Sequence, residues 1–278
     1  MRLFKKVTIV GVGLLGGSIG MGLKKKKLAL KVVGFFRNKD KIARALRAGA
    51  IDEGTDNFLR AVKDADLIIL CTPVKDIINK LAILKKLNMT SALITDTGST
   101  KSEIVKAAGG LRFIGSHPLA GSEQSGVTHA RPDLLKGSLC ILTPDGKKSA
   151  DSIKRIDKFW RRLGAKTLIL EPQKHDSLLA SASHLPHAIA FSLIDAIPKG
   201  AIKFVAGGLK DTTRIALSNP DVWVDIFLTN RKNVLRSIDA FERSLKRLKK
   251  SLTRHDKKSL FFFLAKAQRL RRRIPAKS

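Results

Sequence analysis

Tyrosine is absent from this chain of 278 residues, tryptophan and cysteine occur twice each, and aromatic residues make up only 5%. So few flat side chains leave no stacking pattern of the kind that single-stranded nucleic acid uses, and no nucleic-acid module is recognisable. Cys71 and Cys140 each sit inside an apolar run, LIILC and LCIL, which suits two buried thiols in a reducing compartment better than a disulfide. Acidic residues are scarce: 23 Asp and Glu stand against 54 Lys and Arg, a net charge of +31. The basic residues are spread along the chain, with denser runs only at Lys24 to Lys27 and from Arg243 to Arg273. The surplus therefore reads as background that also attracts anionic ligands, and no nucleic-acid partner is expected. No apolar run approaches the about 20 residues of a membrane span. The basic opening at Met1 to Lys6 imitates a secretory signal, but six glycines between Gly11 and Gly22 make a poor apolar helix and no A-x-A-like site follows. A cytoplasmic protein without membrane contact is expected.

What the chain does contain is organised around Val7 to Gly22, VTIVGVGLLGGSIGMG, an apolar strand, a glycine turn and the start of a helix. Within it Gly11-Val12-Gly13-Leu14-Leu15-Gly16 is a G-x-G-x-x-G in the right context. The first glycine permits the turn, the second lets backbone N–H groups approach a pyrophosphate, and the third lets helix and strand pack closely. Phosphates then rest on the helix N-terminus.

Strand and helix signals alternate from there to Lys166–Leu170, the pattern of a doubly wound parallel sheet. The strands are predicted at 6–12, 31–36, 67–72, 92–97, 113–115, 138–143 and 166–170, with helices between them, for example 74–87 and 148–163. Beyond Glu171-Pro172 no strand is expected, only helices, one of them running roughly from Asp221 to Leu252. The fold class is therefore α/β: an N-terminal Rossmann-type domain, 1–171, then an all-α domain, 172–278, with a basic tail. The apolar helices at 178–197 and 222–245 carry more apolar surface than a small helical domain covers alone, so a homodimer through this half is expected.

Ligands of such sheets bind beyond the carboxyl ends of the strands. Polar groups at these ends are Thr72-Pro73, Asp96 to Lys101, and Ser116 to Glu123. An acid about 20 residues beyond the glycines would bind the ribose 2′-OH of NAD, whereas an arginine accommodates the 2′-phosphate of NADP. Here the second strand ends in Phe36-Arg37-Asn38, and Asp40 looks like a cap for the next helix. NADP is favoured over NAD, although Arg37 equally fits a surface cation over the adenine. The cofactor set is then Gly11, Val12, Gly13, Leu14, Leu15, Gly16, Arg37, Thr72 and Pro73.

The runs DTGSTK, SHPLAGSEQSGV, SHLPH (Ser183 to His187) and GGLKDTTRIALSNPDVW (Gly207 to Trp223) resemble the prephenate and arogenate dehydrogenase family, and the likeness spans nearly the whole chain. The resemblance implies oxidative decarboxylation of a cyclohexadiene, prephenate or arogenate, in tyrosine biosynthesis: a hydride passes to NAD(P) while the ring carboxylate leaves as carbon dioxide. It implies His117 as the catalytic histidine and Ser99 as the serine orienting it. Arg214 becomes the guanidinium for substrate carboxylate, with Asp211 holding it. His184, Ser122 and Glu123 become substrate-pocket residues. His187 reads as structural, Trp223 as pocket wall or core, and His129, His175 and His255 as structural or solvated. No metal site is expected, since Pro186 separates His184 from His187 and no third ligand is evident.

Two other readings stay open on the residues alone. One is a β-hydroxyacid-type dehydrogenase on the same nucleotide fold, relying on a lysine such as Lys210. The other, from a different class, is a basic nucleic-acid-binding protein on an inactive nucleotide fold, which would bind RNA or DNA with steep salt dependence.

Overall fold

A strand covered by helices on both faces needs an unbroken apolar run rather than alternation, and Leu67-Ile68-Ile69-Leu70 is such a run, with all four side chains fully buried. Burying each stabilises the fold by about 1.5–3 kcal/mol. The structure is a computed structural model describing residues 2–121, 124–146 and 150–274. Its strands are β1 (Phe4–Val10), β2 (Ala29–Phe35), β3 (Glu53–Thr55), β4 (Leu67–Leu70), β5 (Leu93–Asp96), β6 (Phe113–Pro118), β7 (Leu139–Thr143) and β8 (Lys166–Ile169). They form one sheet in the order β3-β2-β1-β4-β5-β6-β7-β8.

β1 to β6 run parallel to their neighbours, β7 is antiparallel to β6, and β8 is parallel to β7. The strand order turns back at β1, which lies between β2 and β4, so the glycine turn after β1 opens at the switch point where α/β sheets bind ligands. The expected doubly wound sheet is therefore present. β3 was not expected: Glu53-Gly54-Thr55 has three residues and no apolar run, and it is a strand because its backbone pairs with Val33 to Phe35.

Helices α1 (Leu14–Lys25), α2 (Asp40–Arg47), α3 (Phe58–Val62), α4 (Val74–Lys86), α5 (Ser102–Ala107) and α6 (Ala150–Leu163) cover the sheet. Alternate residues of β4 feed two cores. Leu67 and Ile69 pack with Ile19 and Leu23 of α1 and Phe159 and Trp160 of α6, while Ile68 and Leu70 pack with Leu81 and Leu84 of α4 and Ile104 of α5.

The rest is helical: α7 (Pro172–Leu179), α8 (Leu185–Asp195), α9 (Gly207–Thr213), α10 (Pro220–Thr229), α11 (Arg231–Thr253) and α12 (Lys257–Arg272). α7 and α8 are joined through a wide π turn at Ala180–His184. The single helix expected from Asp221 to Leu252 is two helices, divided at Asn230. That side chain is committed to partners elsewhere rather than to solvent: its amide donates to the Asp176 carbonyl at 2.8 Å. The expectation that no apolar run approaches a membrane span also needs correction, because 172–195 is one helical run of 24 residues long and apolar enough by length and composition. It carries buried His175, Asp176 and His184, all hydrogen-bonded within the protein.

The chain divides into two compact units, 1–231 and 232–278. The second consists of most of α11 together with α12, whose start is capped by Asp256 accepting from the Ser259 N–H at 2.9 Å. Phe261, Phe262, Leu264 and Leu270 of α12 are exposed.

Candidate active site

The glycine turn is built as a phosphate cradle. Gly11 has φ +91°, and a Cβ there would stand 2.7 Å from Thr72 Cγ2. Gly16 is tighter still, with a Cβ falling 2.2 Å from the Gly11 carbonyl oxygen, so helix and strand touch at this point. Around Gly13, by contrast, nothing among the described residues comes within 4 Å of a Cβ position. Gly13 is also the N-cap of α1, no side chain caps that helix, and its first turn holds no acid. Open space in front of an uncapped helix N-terminus fits a dinucleotide pyrophosphate. Thr72 Oγ1, at the end of β4, is buried without a hydrogen-bond partner among the described residues, and Pro73 is the N-cap of α4.

At the end of β2, Arg37 is exposed and no carboxylate precedes Asp40. Asp40 is not the cap of α2 but its first residue, and Asn38 Oδ1 accepts its N–H at 2.8 Å.

His117 sits in β6 and is 9% exposed. The strand ends under it are braced. Asp96 takes the Ser116 N–H on Oδ1 at 3.0 Å and the Gly98 N–H on Oδ2 at 2.8 Å. Lys101, fully buried, pairs with the same Asp96 and donates to the Ser116 carbonyl at 2.8 Å. Trp160 of α6 donates its indole N–H to Ser116 Oγ at 2.9 Å.

The ring of His117 meets His175 and not Ser99: His117 Nδ1 and His175 Nε2 are 2.8 Å apart. His175 Nδ1 in turn lies 2.8 Å from Asp176 Oδ1, and Asp176 accepts the N–H groups of Lys101 and Ser102, each at 2.8 Å. His175, read from the sequence as structural or solvated, is thus fully buried at the heart of the site. Neither it nor Asp176 carried a motif; the only signal was a histidine and an acid, adjacent, in the first turns of a helix. Ser99 is half-buried in the loop between β5 and α5.

Burial, reinforced by the charges of His175, Lys101 and His184, pushes the proton affinity of His117 well below the usual histidine range. Burial also lowers that of His175, against the opposing pull of Asp176. For Asp176 burial acts upward, but the hydrogen bonds from His175, Ser102 and Lys101 together hold the carboxyl below its ordinary value. Two neutral imidazoles therefore stand in front of an anionic carboxylate.

His184 continues the cluster. Its Nδ1 accepts from the Asn230 amide at 3.1 Å, its Nε2 is buried without a partner among the described residues, and burial brings its pKa down to about 4. Nine residues at about 100° each would set His175 and His184 on opposite faces of a regular α-helix. The π turn between them advances each residue less and brings both rings toward one site, a use of π geometry that recurs at functional positions.

His187, expected to be structural, lies flat against Trp223, ring centroids 3.6 Å apart. Trp223 also meets His184 edge-on at 6.0 Å. Burial lowers the proton affinity of His187, with the nearby Arg214 charge adding to it. Arg214, exposed, directly follows α9, and its charge reaches His187. Asp211 on α9 is exposed, as is Lys210. Ser122 and Glu123 lie outside the described residues. Among those described, no cluster of three metal-ligating side chains is present.

The sheet, its glycine cradle and the imidazole near the end of β6 define an α/β nucleotide-binding domain of the dehydrogenase kind. A family model for the prephenate dehydrogenase nucleotide-binding domain matches residues 19–169, and one for the prephenate dehydrogenase dimerization domain matches 171–266. The prephenate dehydrogenase of Bacillus subtilis is 32% identical, covering 97% of this chain and 76% of that protein. The cyclohexadienyl dehydrogenase of Zymomonas mobilis is also 32% identical, over 98% of this chain and 96% of its own length. The crystal structure of prephenate dehydrogenase from A. aeolicus with hydroxyphenyl propionate and NAD+ superposes with a TM-score of 0.92 at 35% identity, covering 98% of each chain. The chain belongs to the prephenate dehydrogenase family.

Proposed function

We propose that this protein is a prephenate dehydrogenase, converting prephenate to 4-hydroxyphenylpyruvate with loss of carbon dioxide. Beyond family membership, the observation that carries this reading is His117: a neutral imidazole at a strand end, with Nδ1 engaged by His175 and Nε2 left for substrate. Gly11 to Gly16, Thr72, Pro73 and Arg37 would hold the dinucleotide, which supplies the hydride acceptor when bound. As hydride leaves the carbinol carbon, His117 Nε2 accepts the proton of the ring hydroxyl. Loss of the ring carboxylate as carbon dioxide then returns electron density to that oxygen, which takes the proton back as the ring becomes aromatic. Arg214 offers a bidentate fork to a substrate carboxylate, His184 Nε2 adds a polar contact in the same pocket, and Trp223 with His187 walls it. Ser99 is assigned to the substrate hydroxyl, Asp211 to the support of Arg214, and Ser122 and Glu123 to the pocket entrance.

Functionally the chain divides into a nucleotide half, 1–171, and a substrate half, 172–278, the latter pairing with a second copy to make a homodimer. The exposed Ile202, Phe204, Leu217 and Val224 of the first compact unit and Phe261 and Phe262 of the second are apolar surface of the kind such pairing covers. NADP is the favoured dinucleotide, on the strength of Arg37 and the lack of an acid at the end of β2. A cytoplasmic enzyme of tyrosine biosynthesis follows from this reading.

The deciding experiment assays the purified protein with prephenate and arogenate, each with NAD and NADP, and measures its mass in solution. Turnover of prephenate with carbon dioxide release supports the assignment. Turnover of arogenate alone would replace the substrate, and no turnover of either would overturn it.

A further inference from the structure

Asp176 is a carboxylate held anionic by three N–H groups, so it can only accept at Oδ1. His175 must then donate from Nδ1 across their 2.8 Å contact. A neutral His175, as burial dictates, has its one remaining lone pair on Nε2. Across the next 2.8 Å contact His117 must therefore donate from Nδ1. That leaves the lone pair of His117 on Nε2, the nitrogen able to accept a proton. The polarity of the whole chain is set at its far end, where the Lys101 and Ser102 amides and the His175 ring converge on one carboxylate. The Asn230 amide on the Asp176 carbonyl ties the same residue to the end of α10.

We propose that His175 and Asp176 are positioning residues of the dehydrogenase reaction, fixing His117 in the tautomer whose Nε2 is the base and spreading the charge that His117 gains in the transition state. This rests on the assignment of His117 as proton acceptor. The logic is that of a carboxylate orienting a catalytic imidazole, extended here by one ring. No proton needs to leave the chain: His117 takes one on Nε2 and returns it to the same substrate oxygen. His175 and Asp176 stabilise the imidazolium between the two events.

The test compares His175→Leu, His175→Gln, Asp176→Asn and His117→Asn by kcat, KM and dinucleotide affinity. It is joined by nitrogen-15 NMR of ring-labelled wild-type protein. Leucine fills the space but accepts nothing from His117, so kcat should fall about 10²-fold with dinucleotide affinity unchanged. Glutamine can accept from His117 through Oε1 and donate to Asp176 through Nε2, so it should recover to within about 10-fold of wild type. Asparagine at 176 keeps the hydrogen bond and loses the charge, and should fall between them. Equal losses in the leucine and glutamine variants would mark a packing role and overturn the proposal, as would full activity of His175→Leu. The NMR spectrum needs no variant to fold: a proton on Nε2 of His117, in place of Nδ1, would overturn it directly. If His117→Asn keeps wild-type kcat, the fault lies instead in the assignment of the base.

Discussion

His187 and Trp223 lie face to face, ring centroids 3.6 Å apart and planes 23° from parallel, next to the charge of Arg214. In the proposed pocket the stack is a flat wall, and Arg214 holds a substrate carboxylate beside it. Arg214→Lys keeps the charge but loses the planar fork, so KM for prephenate should rise about 10- to 100-fold with a smaller change in kcat. Steady-state kinetics measure this, and an unchanged KM would remove Arg214 from the carboxylate.

With His117 as the proposed base, the acid limb of kcat/KM should report it. Its proton affinity is lowered by burial first and by neighbouring charge second, and the neutral ring is the active form. Activity should therefore hold steady as pH falls through the ordinary histidine value of about 6.5 and decline only below it. A limb above pH 7 would contradict the buried, neutral imidazole.

Stability has its own pH dependence. His117, His175 and His184 all bind protons more weakly folded than unfolded. Below about pH 6.5 the unfolded chain takes up more protons, so stability falls by up to about 1.4 kcal/mol per pH unit for each such histidine. For His184 the decline continues to about pH 4. Asp176, lowered instead, adds its loss only as pH falls below the ordinary carboxylate value. Urea denaturation at pH 7, 6 and 5 checks this: equal midpoints would refute it, and His184→Gln should flatten the slope.

Gly16→Ala tests the cradle. The added methyl would stand 2.2 Å from the Gly11 carbonyl oxygen and 3.0 Å from Ile9 Cγ2, and backbone cannot swing aside as a side chain does. A cost of about 1–3 kcal/mol in stability and at least a 10-fold loss of dinucleotide affinity are expected. Gly13→Ala, which meets open space among the described residues, should leave stability nearly unchanged while still weakening the dinucleotide.

Arg37 decides the cofactor test. Arg37→Asp places a carboxylate where a ribose 2′-OH would be read, so the ratio of kcat/KM for NADP over NAD should fall at least 10-fold. An unaltered ratio would mean that Arg37 does not face the 2′ position.

The sheet and its glycine turn were legible because their signals are local: apolar runs such as LIIL and a glycine spacing that only one turn geometry explains. The site was half legible. His117 and Arg214 sit in recognisable runs, whereas His175 and Asp176 matter only through contacts with residues about 60 to 75 positions away. No window of sequence holds such a pair. β3 was missed because a strand of three residues is made by its neighbour, and the division at Asn230 because nothing in the helical periodicity records where an amide is spent. The wide turn at 180–184 was invisible for the same reason: its residues are ordinary, and only the backbone betrays it.

That turn carries the nine steps from His175 to His184 with less rotation per residue than a regular helix. With one small residue removed, such as Ser181, eight steps of about 100° would leave the two histidines about 80° apart on a regular helix, still toward one face, and His187 would follow. The same nine steps wound into a regular helix would instead set them about 180° apart. Losing one position together with the wide turn is thus a milder change than straightening the turn at its full length.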